Sequence, residues 1–350
     1  MKVARLYGAR DMRIDTTSEP PEPQEGEVLI RMCAVGICGS DLHMYEAGRI
    51  GDAHYDGQII LGHEFMGEVI AVGENALDGL HQPLSIGQRV AVDPESPCYQ
   101  CELCEKGHPN LCPNHTFYGL YPTDGALQER MIVSARNCFP LPDTITNAGG
   151  TLLETLGVAI HSVDLGHIRI GDDVAVIGCG PVGLLIIQLL KLAGVNRLFA
   201  FDLHDWRVEK AKQLGATHAF TPDDGHFQEL VNTHTSGRGV DVAFEVAWAD
   251  ESVQLAAEMA RYGGRLVLVG IPNDNRLTLE HATARRKGLT LMVVRRMKHS
   301  YPRAIDLTTA GKVQLDTLVT HHFTLDEVDH AFEKNLAYAD NIIKGIIDLS

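Results

Sequence analysis

Three groups of residues in this chain have the types and spacing to do chemistry. The first is Gly178-Cys-Gly-Pro-Val-Gly183, which closes the apolar run Asp173–Ile177 and opens another, Leu184–Leu190. That order predicts strand, glycine turn and helix, and Asp202 ends the next apolar run about 20 residues further on, as a dinucleotide site requires. Gly178 would permit the tight turn, Gly180 would let the backbone approach a pyrophosphate, and Gly183 would let helix and strand pack closely. Pro181 and Val182 open the helix, whose free N–H groups and positive dipole end would face the phosphates. Asp202 would accept the adenosine ribose hydroxyls and repel a 2′-phosphate, which favours NAD over NADP. Arg207, counted with the cofactor-binding residues, and His204 are near enough in sequence to soften that preference.

The second group is Cys98-x2-Cys101-x2-Cys104-x7-Cys112. Four thiolates this close let one loop wrap a tetrahedral ion with no open position, so the expected ion is a structural zinc. The loop Pro94–Pro113 is too polar and proline-rich to hold its shape by burial alone. An iron–sulfur centre is the rival reading, because the CxxC spacings and Cys112-Pro113 echo ferredoxins; the longer final spacing and the lack of a second cysteine cluster weigh against it. A disulfide or a metal-free loop is a further alternative. The third group is scattered: Gly36-Ile-Cys-Gly-Ser-Asp-Leu-His43, then Gly62-His-Glu64, and much later Leu153-Glu-Thr155. Taken singly, Cys38 reads as a buried thiol, His63 as a core histidine and Glu154 as a helix-end carboxylate. Together they offer sulfur, nitrogen and carboxylate oxygen, the donors of an open catalytic zinc.

The elements that must position these groups fall into distinct stretches. From about Thr151 to Arg295 the pattern alternates. Strands are expected at Asp173–Ile177, Arg197–Phe201, His218–Phe220, Val240–Glu245, Arg265–Val269 and Leu289–Val294, and helices at Leu184–Ala193, Arg207–Leu214, Phe227–Thr235 and Ser252–Ala260. Repeated βαβ units imply a Rossmann domain over 151–295, α/β in class, with a doubly wound, parallel six-stranded sheet. Residues 1–150 are Gly- and Pro-rich with short β-type runs, Val28–Val35, Gly67–Val72 and Arg89–Asp93, and predict a mainly β, irregular catalytic domain that carries both zinc sites. Residues 296–350, with helical patterns at Tyr301–Ala310 and Leu325–Asn335 and a strand at Ile342–Asp348, are expected to return and pack on it.

Composition bounds the function. In 350 residues, 45% are hydrophobic and 22% charged, which is ordinary for a soluble globular chain. The net charge of −16 argues against nucleic acid and against docking on anionic lipid. A zinc-ribbon binding module would want basic residues about the four-cysteine loop, where Glu95, Glu102 and Glu105 stand instead. No signal peptide is apparent, and the apolar stretch Val174–Val195 is broken by glycines and Pro181, so no membrane span and a cytoplasmic location are expected. Eight cysteines in such a chain mean thiols and metal rather than disulfides.

Gly36–His43, Gly62-His-Glu64, the four-cysteine loop, Glu154 and Gly178–Gly183 stand in the order found in the zinc-containing medium-chain dehydrogenases, and the chain resembles that family over essentially its whole length. Its polyol branch, the sorbitol and xylitol dehydrogenases, is the most similar through Glu46–Asp52, Leu61–Glu64 and Leu318–His321; threonine dehydrogenases share much of this. The resemblance implies a GroES-like catalytic domain. It also implies Cys38, His63 and Glu64 as ligands of the catalytic zinc, with Glu154 binding directly or through a water. Two zinc ions per chain, NAD as cofactor, a small-molecule alcohol or ketone as substrate and a homotetramer follow from it.

The activity so implied is reversible oxidation of a secondary alcohol, a polyol or vicinal diol, to a ketone. Ser40 and His43 match the family's proton relay, the hydroxyl shuttling and the imidazole exchanging with solvent. Glu154 and Arg296 would hold substrate hydroxyls. Met44 and Met297 stand where sorbitol dehydrogenases carry tyrosines, which predicts a more apolar pocket. The competing readings are an L-threonine 3-dehydrogenase or another zinc secondary-alcohol dehydrogenase, and, in another class, a zinc-free reductase or a non-enzymatic nucleotide-binding protein. Joint presence of Cys38, His63, Glu64 and Glu154 argues against the last two. The apolar strand Arg265–Gly270 with Ile271 is the expected pairing edge across a two-fold axis.

Overall fold

In a computed structural model, residues 1–51, 53–221, 227–247, 249–272 and 275–349 are described, so Asp52 of the Glu46–Asp52 stretch lies outside them. The chain divides into two compact units, Met1–Thr155 with Tyr301–Ser350, and Leu156–Ser300.

The second unit is built on the runs that read as strands buried on both faces. Asp173–Ile177 and Val240–Glu245 are buried at every position, the signature of a parallel strand covered above and below. The sheet has six strands in the spatial order His218–Phe220, Arg197–Phe201, Asp173–Ile177, Val240–Glu245, Ala260–Leu268 and Thr290–Val293. All of its pairings are parallel. This is the doubly wound order, and the chain reverses direction of build between Asp173–Ile177 and Val240–Glu245, where a crevice opens for a ligand. Helices Pro181–Ala193, Asp205–Leu214, Phe227–Thr235 and Asp250–Met259 connect the strands. At the opposite ends of the strands, Asp173 pairs with Arg197, and Asp241 with Arg238 and Arg261.

One expectation is corrected here. The strand that begins at Ala260, rather than Arg265, is hydrogen-bonded to Val240–Glu245 on one side and to Thr290–Val293 on the other. It therefore has no free edge with which to pair across a two-fold axis. The edge is Thr290–Val293, where Val293 is 74% exposed.

In the first unit the main sheet has seven strands, with Glu27–Gly36 antiparallel to Glu64–Val72. Lys344–Asp348 lies beside Glu27–Gly36, with Ile346 opposite Gly36, and runs parallel to Val319–Thr324. Val28, Ile30, Met32, Phe65 and Val69 fill the core between these strands and the surrounding loops. The helix Asn147–Leu165 answers to no element expected from the sequence. Gly149, Gly150 and Gly157 lower its helix propensity, and burial overrides them: a Cβ on Gly150 would stand 2.9 Å from Leu141 and 3.1 Å from Met66. Met44 and Met297, expected to line a pocket, are 2% and 3% exposed. Met44 belongs to the core of the first unit, and Met297 packs on Gly157 in the second. No helix among the described residues is long and apolar enough to cross a membrane.

Candidate active site

Strand register assembles the scattered metal candidates. Gly36 pairs with Glu64, so the end of one strand, leading to Cys38, and the start of its neighbour, carrying His63 and Glu64, meet at one end of the sheet. Cys38 then begins the helix Gly39–Ala47. The ligand atoms of Cys38, His63 and Glu64 lie within 4.8 Å of one another. Glu154 is buried in the same unit but does not fall in that group.

The surroundings fix the orientation of each donor. Asp41, 2% exposed, has Oδ1 3.2 Å from His63 Nδ1. It also accepts the Gly62 N–H at 3.3 Å and the Cys38 N–H at 3.0 Å. His63 is thereby turned so that Nε2 points away from Asp41, with Ser40 Oγ 3.3 Å from it. Burial pushes the His63 pKa down, but Asp41 and Cys38 outweigh it and hold it well above the ordinary value. Glu64 takes the Thr155 hydroxyl on Oε1 at 2.9 Å and pairs through Oε2 with Lys344, whose ammonium also donates to the Ile37 carbonyl at 3.0 Å. His43 sits one helical turn beyond Ser40, half-buried, and burial pushes its pKa down against the pull of Glu46.

Sulfur, imidazole and carboxylate brought together, with a carboxylate behind the imidazole, form a donor set that fits zinc. Sequence reasoning missed Asp41, Thr155 and Lys344. Asp41 was visible inside Gly36–His43; Lys344 follows no motif and reaches the site only through sheet topology.

The four-cysteine loop closes as its spacing requires. The Sγ atoms of Cys98, Cys101, Cys104 and Cys112 lie within 4.8 Å of one another, and all are free thiols. Cys112 Sγ stands 3.5 Å from Cys98 Sγ and 3.8 Å from Cys101 Sγ. A tetrahedron with zinc–sulfur bonds of about 2.3 Å has edges of about 3.8 Å, so these separations fit that ion. The Gln100 N–H, with help from Cys112 and Cys101, lowers Cys98 to about 6, which favours the thiolate.

In the second unit the glycine turn behaves as three different residues. Gly178 has φ +99° and a Cβ there would stand 2.8 Å from the Val246 backbone. Gly183 lies against the Gly178 carbonyl. Gly180 is neither strained nor crowded: the nearest atom to a Cβ is Arg207 Nη1 at 3.9 Å, so the space above it is open for a ligand. Pro181 opens the helix and Gly180 caps it. Asp202 accepts the Cys179 N–H at 2.8 Å and the His204 N–H at 3.0 Å. Val182 lies in the first turn of the same helix. Arg296 belongs to this unit and has φ +49°, a left-handed conformation uncommon for a side-chain-bearing residue.

Comparison with known proteins places the chain. Residues 24–143 match the alcohol dehydrogenase GroES-like domain, and 181–310 match the zinc-binding dehydrogenase domain. The chain is 35% identical to the sorbitol dehydrogenase of Bacillus subtilis over 99% of its own length and 97% of that protein. Among solved structures, an Escherichia coli oxidoreductase of unknown specificity superposes with a TM-score of 0.92 at 31% identity, covering 100% of this chain and 99% of the other. The 2R,3R-butanediol dehydrogenase of Bacillus subtilis superposes with a TM-score of 0.86 at 31% identity, covering 99% of each. The chain belongs to the zinc-containing medium-chain alcohol dehydrogenases. Within them it falls in the branch of the sorbitol dehydrogenases.

Proposed function

We propose that the protein is an NAD-dependent, zinc-dependent dehydrogenase that reversibly oxidises a secondary alcohol flanked by a hydroxyl, a polyol or vicinal diol, to a ketone. The observation that carries this reading is the group of Cys38, His63 and Glu64, the last two buried, whose ligand atoms lie within 4.8 Å of one another. Similarity to a sorbitol dehydrogenase and to a butanediol dehydrogenase supports the neighbouring hydroxyl.

When bound, zinc supplies a Lewis acid at the substrate oxygen and NAD accepts the hydride. The remaining roles fall to side chains of this chain. Asp41 orients His63. Ser40 takes the hydroxyl proton and passes it to His43, whose lowered pKa leaves the imidazole neutral and able to receive it at neutral pH. Gly180 and the helix beginning at Pro181 receive the pyrophosphate, Asp202 the adenosine ribose, with Arg207 alongside. Glu154 and Arg296 hold substrate hydroxyls, and the four-cysteine loop holds a second, structural zinc. The assembly in this reading is a homotetramer.

The deciding experiment compares kcat/KM for a vicinal diol with that for the matching simple secondary alcohol, in wild type and Arg296→Ala. The diol is expected to be the better substrate, with the preference reduced by the substitution, because polar groups left unpaired by the simple alcohol penalise it. Equal ratios in the two proteins, or a better simple alcohol, would remove the polyol pocket from the reading while leaving the zinc chemistry in place.

A further inference from the structure

Lys344 is a buried charge at the metal site that no motif announces. Its residue is 2% exposed, its ammonium donates to the Ile37 carbonyl at 3.0 Å, and it pairs with Glu64 Oε2. Since Thr155 holds Oε1 at 2.9 Å, both oxygens of Glu64 are engaged by protein groups. Gly36 makes the room. A Cβ there would collide with Glu64 Oε2 and come within 3.3 Å of both Glu64 Cβ and Lys344 Cε. A buried ion pair is weak evidence for stability, because desolvation offsets most of its attraction. What distinguishes this one is the residue it grips, a member of the Cys38–His63–Glu64 group.

We propose that Lys344 is a positioning residue that shares Glu64 with the metal ion, drawing carboxylate charge away so that Glu64 is a weak, displaceable ligand. The inference rests on reading Cys38, His63 and Glu64 as a zinc site. Its physical basis is charge. A thiolate and a carboxylate together would cancel a dication; the ammonium, paired with Glu64 Oε2, takes up part of that carboxylate's charge and would leave the ion more of its own. That residual charge favours loss of the substrate's hydroxyl proton, at the cost of a looser hold on the ion.

The test uses the full-length protein loaded with zinc or cobalt(II), as wild type, Lys344→Met, Lys344→Arg, Glu64→Gln and the double variant Lys344→Met/Glu64→Gln. Zinc release to a chelator, the cobalt visible spectrum and the pH profile of kcat/KM are measured. In Lys344→Met, zinc release is expected to slow about tenfold, the cobalt bands to move, and the profile to shift about one unit alkaline. Lys344→Arg should return all three towards wild type. Zinc release in the double variant should differ from that in Glu64→Gln by much less than Lys344→Met differs from wild type, because Lys344 acts through Glu64. A folded Lys344→Met with wild-type release and spectrum overturns the proposal. Should that variant not fold, a double variant that releases zinc about tenfold more slowly than Glu64→Gln overturns it equally. A Cys38→Ser variant with the metal content of wild type would overturn the zinc reading itself, and the inference with it.

Discussion

Arg207 Nη1 stands 3.6 Å from Asp202 Oδ2, and the same nitrogen is the nearest atom to the open space above Gly180. A carboxylate held by two backbone N–H groups and an arginine alongside it together face the place where a dinucleotide would lie. NAD is expected to exceed NADP in kcat/KM by at least about tenfold, because a 2′-phosphate would sit against the fixed carboxylate. Asp202→Ala should narrow that ratio, because Arg207 would then meet the phosphate without an opposing carboxylate. Steady-state kinetics with both coenzymes checks this, and a wild type that prefers NADP would refute it.

The two cysteine sites are expected to separate on metal removal. Chelator should first take the ion held by Cys38, His63 and Glu64, abolishing activity while the fold survives, and Cys38→Ser should do the same. Against its burial, Asp41 and Cys38 raise the pKa of His63, so protons compete with the ion, and metal affinity should fall as pH is lowered. Cys101→Ser or Cys104→Ser should instead lower Tm, since a closed site organises its own loop. Metal analysis alongside thermal melts distinguishes the two; wild-type turnover in a well-folded Cys38→Ser protein would end the zinc mechanism.

Asp241 supplies a pH-dependent test of stability. Burial alone would raise its pKa, but Arg238 and Arg261, with the Asp173 N–H, outweigh it and hold the carboxyl well below the usual range. A depressed folded-state pKa contributes stability above the unfolded value near 4, and that contribution is lost as pH falls through the folded value. Asp241→Asn should cost about 2 kcal/mol at pH 7, less than a fully buried pair because both arginines are partly exposed. The difference between the two proteins should shrink below about pH 4. Urea unfolding at several pH values measures it, and a gap that stays constant into acid would show that the ion pairs are not its source.

The edge strand Thr290–Val293 is the surface expected to pair in the homo-oligomer, with Val293 outward. A lysine at this edge should block pairing between copies. Val293→Lys is expected to lower the mass seen by light scattering at micromolar protein; an unchanged mass, or a monomeric wild type, would contradict the assignment.

Much of this was legible in the residues. Strands buried on both faces, such as Asp173–Ile177 and Val240–Glu245, announce themselves by their apolar runs Val174–Ile177 and Val242–Phe244, and Gly178–Gly183 announces the turn between strand and helix. Local spacing brings the four cysteines together without help from the rest of the fold. What could not be read depends on distant pairing. Sequence gave no sign that Ala260–Leu268 is flanked on both sides, because a central strand and an apolar edge strand look alike in one dimension. The helix Asn147–Leu165 hid behind three glycines that suit its close packing. Asp41 stood within a recognised motif, yet its partnership with His63 is a property of two strands in register. Lys344 was the least visible, a lone lysine in an apolar run whose partner lies across the sheet.

The strand Lys344–Asp348 lies beside Glu27–Gly36, although the whole of the other unit intervenes between them in the chain. A ribosome making this protein therefore releases the dinucleotide unit as a continuous, locally connected stretch while the other sheet still lacks an inner strand. Closing that sheet means joining segments some three hundred residues apart, a loop closure that waits until the other unit has been made. The surroundings of Glu64 acquire their lysine only with that closure, and metal capture before it would meet a different electrostatic environment.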